Sequence, residues 1–540
     1  MKNLITLCIV LFATTFGLAQ SNVSIPTNNQ IVVSGNYTLV VDGSISNNGN
    51  MTIESGSSLI QTHTGTDANT NNGTYNVKRV GGGSNMSYNI WSSPIMAAPI
   101  HGTGAVYDGT NPCDIFTFNA STQEWKYDYP INYLASCNGN NVTFSAAYLM
   151  TDGVSDNIMD PTRGYYVPGN TNTERAFTGN VNNGDITTTI WSTNITTNPW
   201  AGVNWNLVGN PYPSAIDLQT FWNVNTASGA ITDGVYFWND PGNQNYQCSD
   251  FVVWNSIGTT NSCGVSSSTT ANGLVSSGQG FWVYGANSGT TTTTIVFNNA
   301  MRTGGNNTNF YKMTKNFERV WLSFSRNGQP SNQILLGLRD DASLGYDPKF
   351  DARKLPADAA LELAFVQDSG HYVILAQPTL SYDEQEELPL YVVTDSTTYY
   401  TFAFDSTKNI TGGNTYFLID KFKRITHDLS TPYQVRLDSG KYENRFYLLY
   451  KDLINGVNEN PTTVNFVEVY QTDGNIKLQS NKLNITTVTM YNSVGALLTH
   501  KENLKQTAIS IPISNYASGV YLINYKLTNG DSKTEKVVLN

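Results

Sequence analysis

The sequence predicts an all-β, multidomain protein with a short β-solenoid-like N-terminal region, β-sandwich modules and a C-terminal immunoglobulin-like domain. Three observations predict it. Charged residues make up 13% of the chain, about half the roughly 25% of ordinary soluble proteins, so Asn, Thr, Ser and Gly carry solubility instead. Short runs of β-branched and aromatic residues, bounded by Gly, Pro or Asn, recur along the whole chain, as strands joined by turns require. No long stretch carries the Ala, Leu, Glu, Lys and Arg that sustain a helix. A length of 540 residues gives a prior of about three or four domains.

Residues 1–19 read as a signal peptide. Lys2 supplies the positive start, and Leu4 to Leu18 form an apolar core too short to span a bilayer. Gly17-Leu18-Ala19 is a small-x-small cleavage pattern, which places the cut between Ala19 and Gln20. Cys8 lies inside the apolar core rather than after a small-residue box, which argues against a lipoprotein. No later segment is long and apolar enough to cross a membrane.

Residues 20–80 alternate short strands with Gly/Asn turns: Tyr37 to Val41, Gly43 to Gly49, Asn50 to Glu54, Gly56 to Ile60. That spacing suits the rungs of a small solenoid or stacked β-layer. After Gly81 to Gly83, residues 84–300 form an aromatic-rich β domain. Its strand-like runs include Ile115 to Phe118, Asn204 to Val208, Val235 to Trp238 and Gly280 to Tyr284. Met301 to Asn307 reads as a linker. Residues 310–455 return to alternating strands, among them Val320 to Phe324, Tyr372 to Leu375 and Thr415 to Ile419, in the number a sandwich needs. Asn455 to Pro461 is a second linker.

Residues 464–540 hold about seven strands. Asn465 to Tyr470 and Asn475 to Leu478 flank the turn signal Thr472-Asp473-Gly474. Ile509, Ile511 and Ile513 alternate with polar neighbours, which gives one buried face. Gly519 to Lys526 is turned by Asn529-Gly530 into Lys533 to Leu539. The succession Met490 to Gly495, Ile511 to Ser514, Gly519-Val520-Tyr521 and a final strand with Lys533 and Lys536 resembles the type A C-terminal sorting domain of the type IX (Por) secretion system. The family has a Tyr-Asp-x-x-Gly-type turn where this chain has Tyr491, Asn492 and Gly495. The resemblance covers about one seventh of the chain. It implies export across the outer membrane, with the translocon and sorting machinery as partners, and removal of this domain before anchoring or release. Tyr88 to Pro94, Trp205 to Pro213 and Ser277 to Trp282 also resemble segments of large proteins that carry the same sorting domain, without implying an enzyme class.

The chemistry is read mainly by exclusion. A formal charge of −11 and the lack of a basic cluster argue against nucleic acid, because phosphate binding needs a positive surface. Without Cys8, the cysteines Cys113, Cys137, Cys248 and Cys263 form an even set in an exported chain, read as disulfides with three connectivities open; local pairing of Cys113 with Cys137 and Cys248 with Cys263 is preferred. No Cys-x-x-Cys, His-Glu-x-x-His, Gly-x-Ser-x-Gly or P-loop pattern occurs. The five histidines, His63, His101, His371, His427 and His500, are dispersed. Asp340, Asp341, Asp347 and Asp351 crowd one stretch that could hold calcium. Paired carboxylates from the 84–300 or 310–455 region leave a cryptic glycoside hydrolase as the third reading. Trp191, Trp200 and Trp222 sit near turns and are the candidate glycan contacts, whereas Trp205, Trp238 and Trp282 lie in strand runs and read as core. The sequence therefore points first to a non-enzymatic secreted or cell-surface protein, adhesive or structural, anchored at or released from the outer membrane. A polysaccharide-binding surface protein is the second reading.

Overall fold

The computed structural model describes residues 19–20, 22–63, 69–81, 88–100, 115–127, 158–168, 174–192, 204–238, 251–262, 273–286, 292–304, 317–326, 332–354, 361–368, 370–379, 385–409, 414–452, 467–472, 475–480 and 483–539. It is built almost wholly of strands. Two compact units emerge. The first comprises Met1–Thr379, Tyr391–Thr411 and Gln434–Lys441; the second comprises Leu380–Leu390, Gly412–Tyr433 and Tyr442–Asn540. The segment 310–455, expected as one sandwich, thus contributes strands to both.

The first unit begins with the expected solenoid. Three parallel sheets run side by side: Ala19–Gln20, Thr38–Val41 and Ser58–Gln61; Val23–Ile25, Ile45–Asn47 and Thr70–Asn71; Gln30–Val33, Asn50–Ile53 and Thr74–Val80. Like residues stack in register inside. Val33, Ile53 and Val77 form one column, and Ile31, Met51 and Tyr75 another. The corners demand glycine for space. A Cβ on Gly49 would lie 2.2 Å from the carbonyl oxygen of Asn29, and one on Gly73 would lie 2.1 Å from that of Gly49. Glu174–Gly179 pairs antiparallel with Thr74–Val80 and covers the open edge of that sheet.

Beyond the solenoid, a five-stranded antiparallel sheet runs in the order Trp205–Gly209, Gly280–Gly285, Ile231–Trp238, Phe251–Trp254, Thr259–Ser262. Helix α1 (Leu218–Ala227) covers one face. Asp217 caps it, accepting from the Thr220 amide at 2.7 Å, and Leu218, Phe221, Trp222 and Asn225 form its buried stripe. The unit also holds strands ordered Leu361–Gln367, Gly370–Gln377, Asn332–Leu338, Glu318–Arg326 and Thr398–Lys408, of which Asn332–Leu338 and Gly370–Gln377 pair in parallel.

In the second unit, Asn414–Asp420 pairs antiparallel with Ile425–Asp428 and with 446–452. Residues 467–539 form a seven-stranded sandwich. One sheet is ordered Val467–Thr472, Asn475–Ser480, Ala508–Pro512; the other is ordered Leu497–Lys501, Ile485–Asn492, Gly519–Leu527, Ser532–Leu539. Ile476, Leu478, Ile509 and Ile511 from the first sheet meet Val488, Met490, Ile523 and Tyr525 from the second in one core.

Buried asparagines tie the loops of the first unit to its strands. Asn210 is fully buried; its side chain donates to the carbonyls of Ser214, Val275 and Ser276 and accepts from the Tyr212 amide. Asn210→Ala removes these four hydrogen bonds to main-chain groups at once. It should destabilise this unit by about 3 kcal/mol or more, read as a lower denaturant midpoint by tryptophan fluorescence. Asn72→Ala, at an exposed position bonded to Asn48, should stay within about 0.5 kcal/mol.

Candidate functional site

The five-stranded sheet has two unlike faces, because side chains alternate along each strand. Val208, Val235, Phe237, Val252, Trp254, Phe281 and Val283 turn toward Phe221 and Trp222 of helix α1. The other face carries Trp205, Tyr236, Trp282 and Tyr284. In register, Trp205 lies opposite Tyr284, and Trp282 lies opposite Tyr236. Their rings meet edge to face: Trp205 is 4.8 Å from Tyr236, 5.2 Å from Tyr284 and 6.4 Å from Trp282. Such contacts add to the area they bury.

A second sheet extends this aromatic layer. The hairpin Phe116–Asn119 and Glu124–Tyr127 sets Phe118 opposite Trp125. Trp125 stands edge to face with Tyr166 at 5.0 Å, Trp282 at 5.5 Å and Phe118 at 5.6 Å. The Trp282 indole donates to the Tyr166 hydroxyl at 3.0 Å. Trp205 and Trp282 are buried, as expected of strand tryptophans, but Trp125 remains 49% exposed. The glycan-contact set read from the sequence did not include it.

The layer ends in a charged cluster. Strand Ile231–Trp238 bulges between Thr232 and Val235, and Asp233 takes a left-handed backbone with φ 70°. Its carboxylate is fully buried. Oδ2 accepts from Arg353 Nε at 2.9 Å and Oδ1 accepts from the Tyr346 hydroxyl. The Arg353 guanidinium lies among the rings of Tyr346, Tyr284 and Tyr372, at 5.1, 5.6 and 5.7 Å from their centroids. Tyr236 donates to the Arg353 carbonyl at 2.7 Å. The Arg353 side chain is 38% exposed.

The aspartate-rich stretch docks beside this cluster. Lys349 O accepts from the Trp222 indole and the Ser256 hydroxyl, and Phe350 O accepts from Asn255. Its four carboxylates go to separate partners. Asp341 takes Arg339 with two bonds of 2.7 Å; Asp340 takes Thr379; Asp347 takes the Ser343 amide at 2.6 Å; Asp351 is buried and takes the Ala376 and Asp347 amides at 2.8 and 2.6 Å. Among the described residues no three His, Cys, Asp or Glu side chains form a metal-holding group. An open cavity of about 420 Å³ beside the stretch is lined by residues that include Gln219, Asn223, Thr226, Lys349 and Phe350. Its carboxylate, Asp341, is the one held by Arg339.

Other expectations fare unevenly. Trp222, expected near a turn and open to a glycan, is corrected: it lies on helix α1 and is 1% exposed, because its position in the apolar stripe turns it into the core. Trp191 ends strand Ile186–Trp191 half-buried, and its main chain pairs with the Asn206 side chain at 2.8 and 2.9 Å. Trp200, Cys113, Cys137, Cys248 and Cys263 lie outside the described residues. Ala19 and Gln20 form a short strand parallel to Val40 and Val41. In the C-terminal sandwich, Gly495 takes a positive φ of 82° in the turn after Ile485–Asn492. Asn492, where the sorting family commonly has Asp, accepts from the Ala496 and Val494 amides at 2.8 and 3.2 Å. Gly519 and Val520 open a strand, the Tyr521 hydroxyl donates to Ala517 O at 2.6 Å, Lys533 pairs with Glu535, and Lys536 lies opposite Leu522 on the last strand. No described helix is long and apolar enough to cross a membrane.

Burial pushes the Asp351 carboxyl up to about 8, against the two amides that favour its anion. Burial likewise raises Asp233 to about 6, against the pull of Arg353 and Tyr346. In the unfolded chain both ionise near pH 4. Between that point and their folded values the native state keeps protons that the unfolded state gives up, so stability falls as pH rises through the window and levels off above about 8. Unfolding midpoints from about pH 5 to pH 8 should show this decline. Asp351→Asn should flatten it, whatever its constant offset; an unchanged slope would contradict the assignment.

Two family models match the chain: domain of unknown function (DUF8693) over residues 9–450, and domain of unknown function (DUF8694) over residues 456–539. No curated protein matches. Among solved structures, a DUF3244 family protein with an immunoglobulin-like β-sandwich fold from Bacteroides vulgatus ATCC 8482 is 14% identical, with 14% of this chain and 84% of that chain covered and a TM-score of 0.13. The DUF8693 model spans the solenoid, the aromatic layer and the Asp233–Arg353 cluster together, and the chain belongs to that family.

Proposed function

We propose that this protein is a non-enzymatic, exported surface protein that adheres to polysaccharide through its aromatic sheet face. The observation that carries this reading is Trp125: half exposed, yet fixed by edge-to-face contacts with three other rings. A rigid ring loses little conformational freedom on binding, and an indole face matches the C–H face of a sugar. Trp191, half-buried at a strand end, is the second candidate contact. The formal charge of −11 favours an uncharged ligand over nucleic acid.

Binding of the full chain to a panel of neutral polysaccharides tests this. Saturable binding to one glycan class is expected, and Trp125→Ala should weaken it about tenfold or more, the scale of one lost stacking contact. Absence of binding across the panel, or a Trp125→Ala protein that binds as tightly as the parent, would overturn it.

We further propose that residues 464–540 direct export, on the strength of the motif order in the C-terminal sandwich and the apolar start of the chain. The type IX translocon and sorting machinery are then its partners, and the mature protein is released or held at the outer face of the outer membrane. Deleting 464–540 in the producing cell should leave the rest in the periplasm, detected by fractionation. Normal surface display of the truncated protein would sink this assignment.

A further inference from the structure

The Asp233–Arg353 cluster is more elaborate than a pin for the 339–353 stretch requires. Asn255 and Ser256 already hold that stretch through the carbonyls of Phe350 and Lys349, and the Asp233 amide donates to Pro348 O. The buried carboxylate instead fixes one edge of a guanidinium whose side chain reaches the surface. Asp233 takes Nε, and among the described residues Nη1 and Nη2 make no hydrogen bond. Three tyrosine rings limit how the guanidinium can turn. An oriented pair of donors beside aromatic rings is a preformed recognition element: its neighbours, rather than a ligand, meet the cost of positioning it.

The charge balance selects the ligand. Arg353 is neutralised by Asp233, and the chain as a whole is strongly negative. The pair therefore offers hydrogen-bond donors without the net positive field that concentrates anions. Two parallel N–H donors match the oxygens of adjacent hydroxyl groups as well as those of a carboxylate. We infer that the Arg353 end of the aromatic layer is a second sugar subsite, where Nη1 and Nη2 donate to two neighbouring hydroxyls of a neutral hexose. This rests on the glycan-binding reading and deepens it, since Trp125 alone carries no information about hydroxyl pattern.

The test uses the full chain with a soluble neutral β-glucan, a neutral mannan and polygalacturonate as probes. Affinity for a neutral glycan should be nearly unchanged from about 0.05 to 0.5 M salt, since no ion pair forms with the ligand. Arg353→Lys keeps a cation beside Asp233 but loses the paired donors, and should weaken binding at least about fivefold, roughly one hydrogen bond, at an unchanged unfolding midpoint. If this variant fails to fold, the parent protein still decides: saturating glycan should shield Arg353 from an arginine-specific dicarbonyl reagent, read by mass spectrometry. Salt-sensitive preference for polygalacturonate, an unaffected Arg353→Lys protein, or an unshielded Arg353 would each overturn the subsite. Neutral-glycan binding that falls in Trp125→Ala but not in Arg353→Lys would overturn this inference and leave the proposed function standing; no binding to any neutral glycan would remove both.

Discussion

Much of the first unit depends on side-chain amides standing in for main chain. A chain with few charges and many loops must satisfy buried peptide groups where no strand runs alongside, since an unpaired buried group costs about 1–3 kcal/mol. Asparagine solves this because one amide carries both donor and acceptor. Asn206 pairs with the N–H and C=O of Trp191; Asn225 does so with Val296; Asn255 accepts from Ile257 and donates to Phe350. Asn47 does the same inside the solenoid, accepting from Gly49 and donating to Thr74. Asn206 thus joins two strands and Asn225 ties helix α1 to one, while Asn47 and Asn255 bond the residue two positions on as well as a distant carbonyl.

The buried arginines follow the same rule with charge added. Arg302 is 7% exposed and donates to Leu59 O at 2.6 Å, Asn183 Oδ1 at 2.8 Å, Asn299 Oδ1 at 3.1 Å and Ser214 Oγ at 3.3 Å, with its guanidinium over the Tyr212 ring. It therefore joins a solenoid rung to the strand Ala215–Asp217 through neutral acceptors, and burial lowers it to about 10. Arg79 donates to the carbonyls of Lys78, Ser57 and Glu54 and is lowered to about 9 by burial. Both stay charged at neutral pH by spreading that charge over carbonyl and amide dipoles. Arg353 differs: its Nε meets a buried carboxylate, and its side chain is partly exposed. That contrast in burial and partners sets Arg353 apart from Arg302 and Arg79.

The solenoid was legible because its signal is local: short apolar strands broken by Asn and Gly at near-constant spacing, with glycines that the corners require. The C-terminal sandwich was legible for the same reason, through Asn529-Gly530 and the alternation of Ile509, Ile511 and Ile513. Helix α1 was not. Its sequence, Leu218 to Ala227, holds Thr, Asn and Trp, which favour helices weakly, and the cap Asp217 reads equally as a turn residue. That is why Trp222 was misplaced at the surface. The role of the buried asparagines was not legible, since nothing in their neighbours shows that a carbonyl from about 65 or 95 residues away will arrive, as happens at Asn210 and Asn255. Trp125 was hidden by charged neighbours, Glu124 and Lys126, although its hairpin partner Phe118 offered an aromatic cross-strand pair.

The bulge at Asp233 links the two faces of the sheet. On one side Val235 and Phe237 keep the apolar register against helix α1; on the other Tyr236 keeps the aromatic register against Trp205. A strand that must serve both faces cannot also turn a carboxylate into the layer without an extra residue, and Asp233 with Gly234 supplies it. A Cβ at Gly234 would sit 3.0 Å from Trp254 O and 3.3 Å from the Ala352 Cβ, so the glycine lets strand 251–254 and the 346–353 stretch approach together. The backbone strain at φ 70° persists because five contacts over-determine it: Arg353, Tyr346, Pro348, Asn255 and the flanking strand pairs. Strain held this way yields a fixed charge geometry at the end of the layer, and it is this fixity, rather than the number of exposed rings, on which the proposed Arg353 subsite rests.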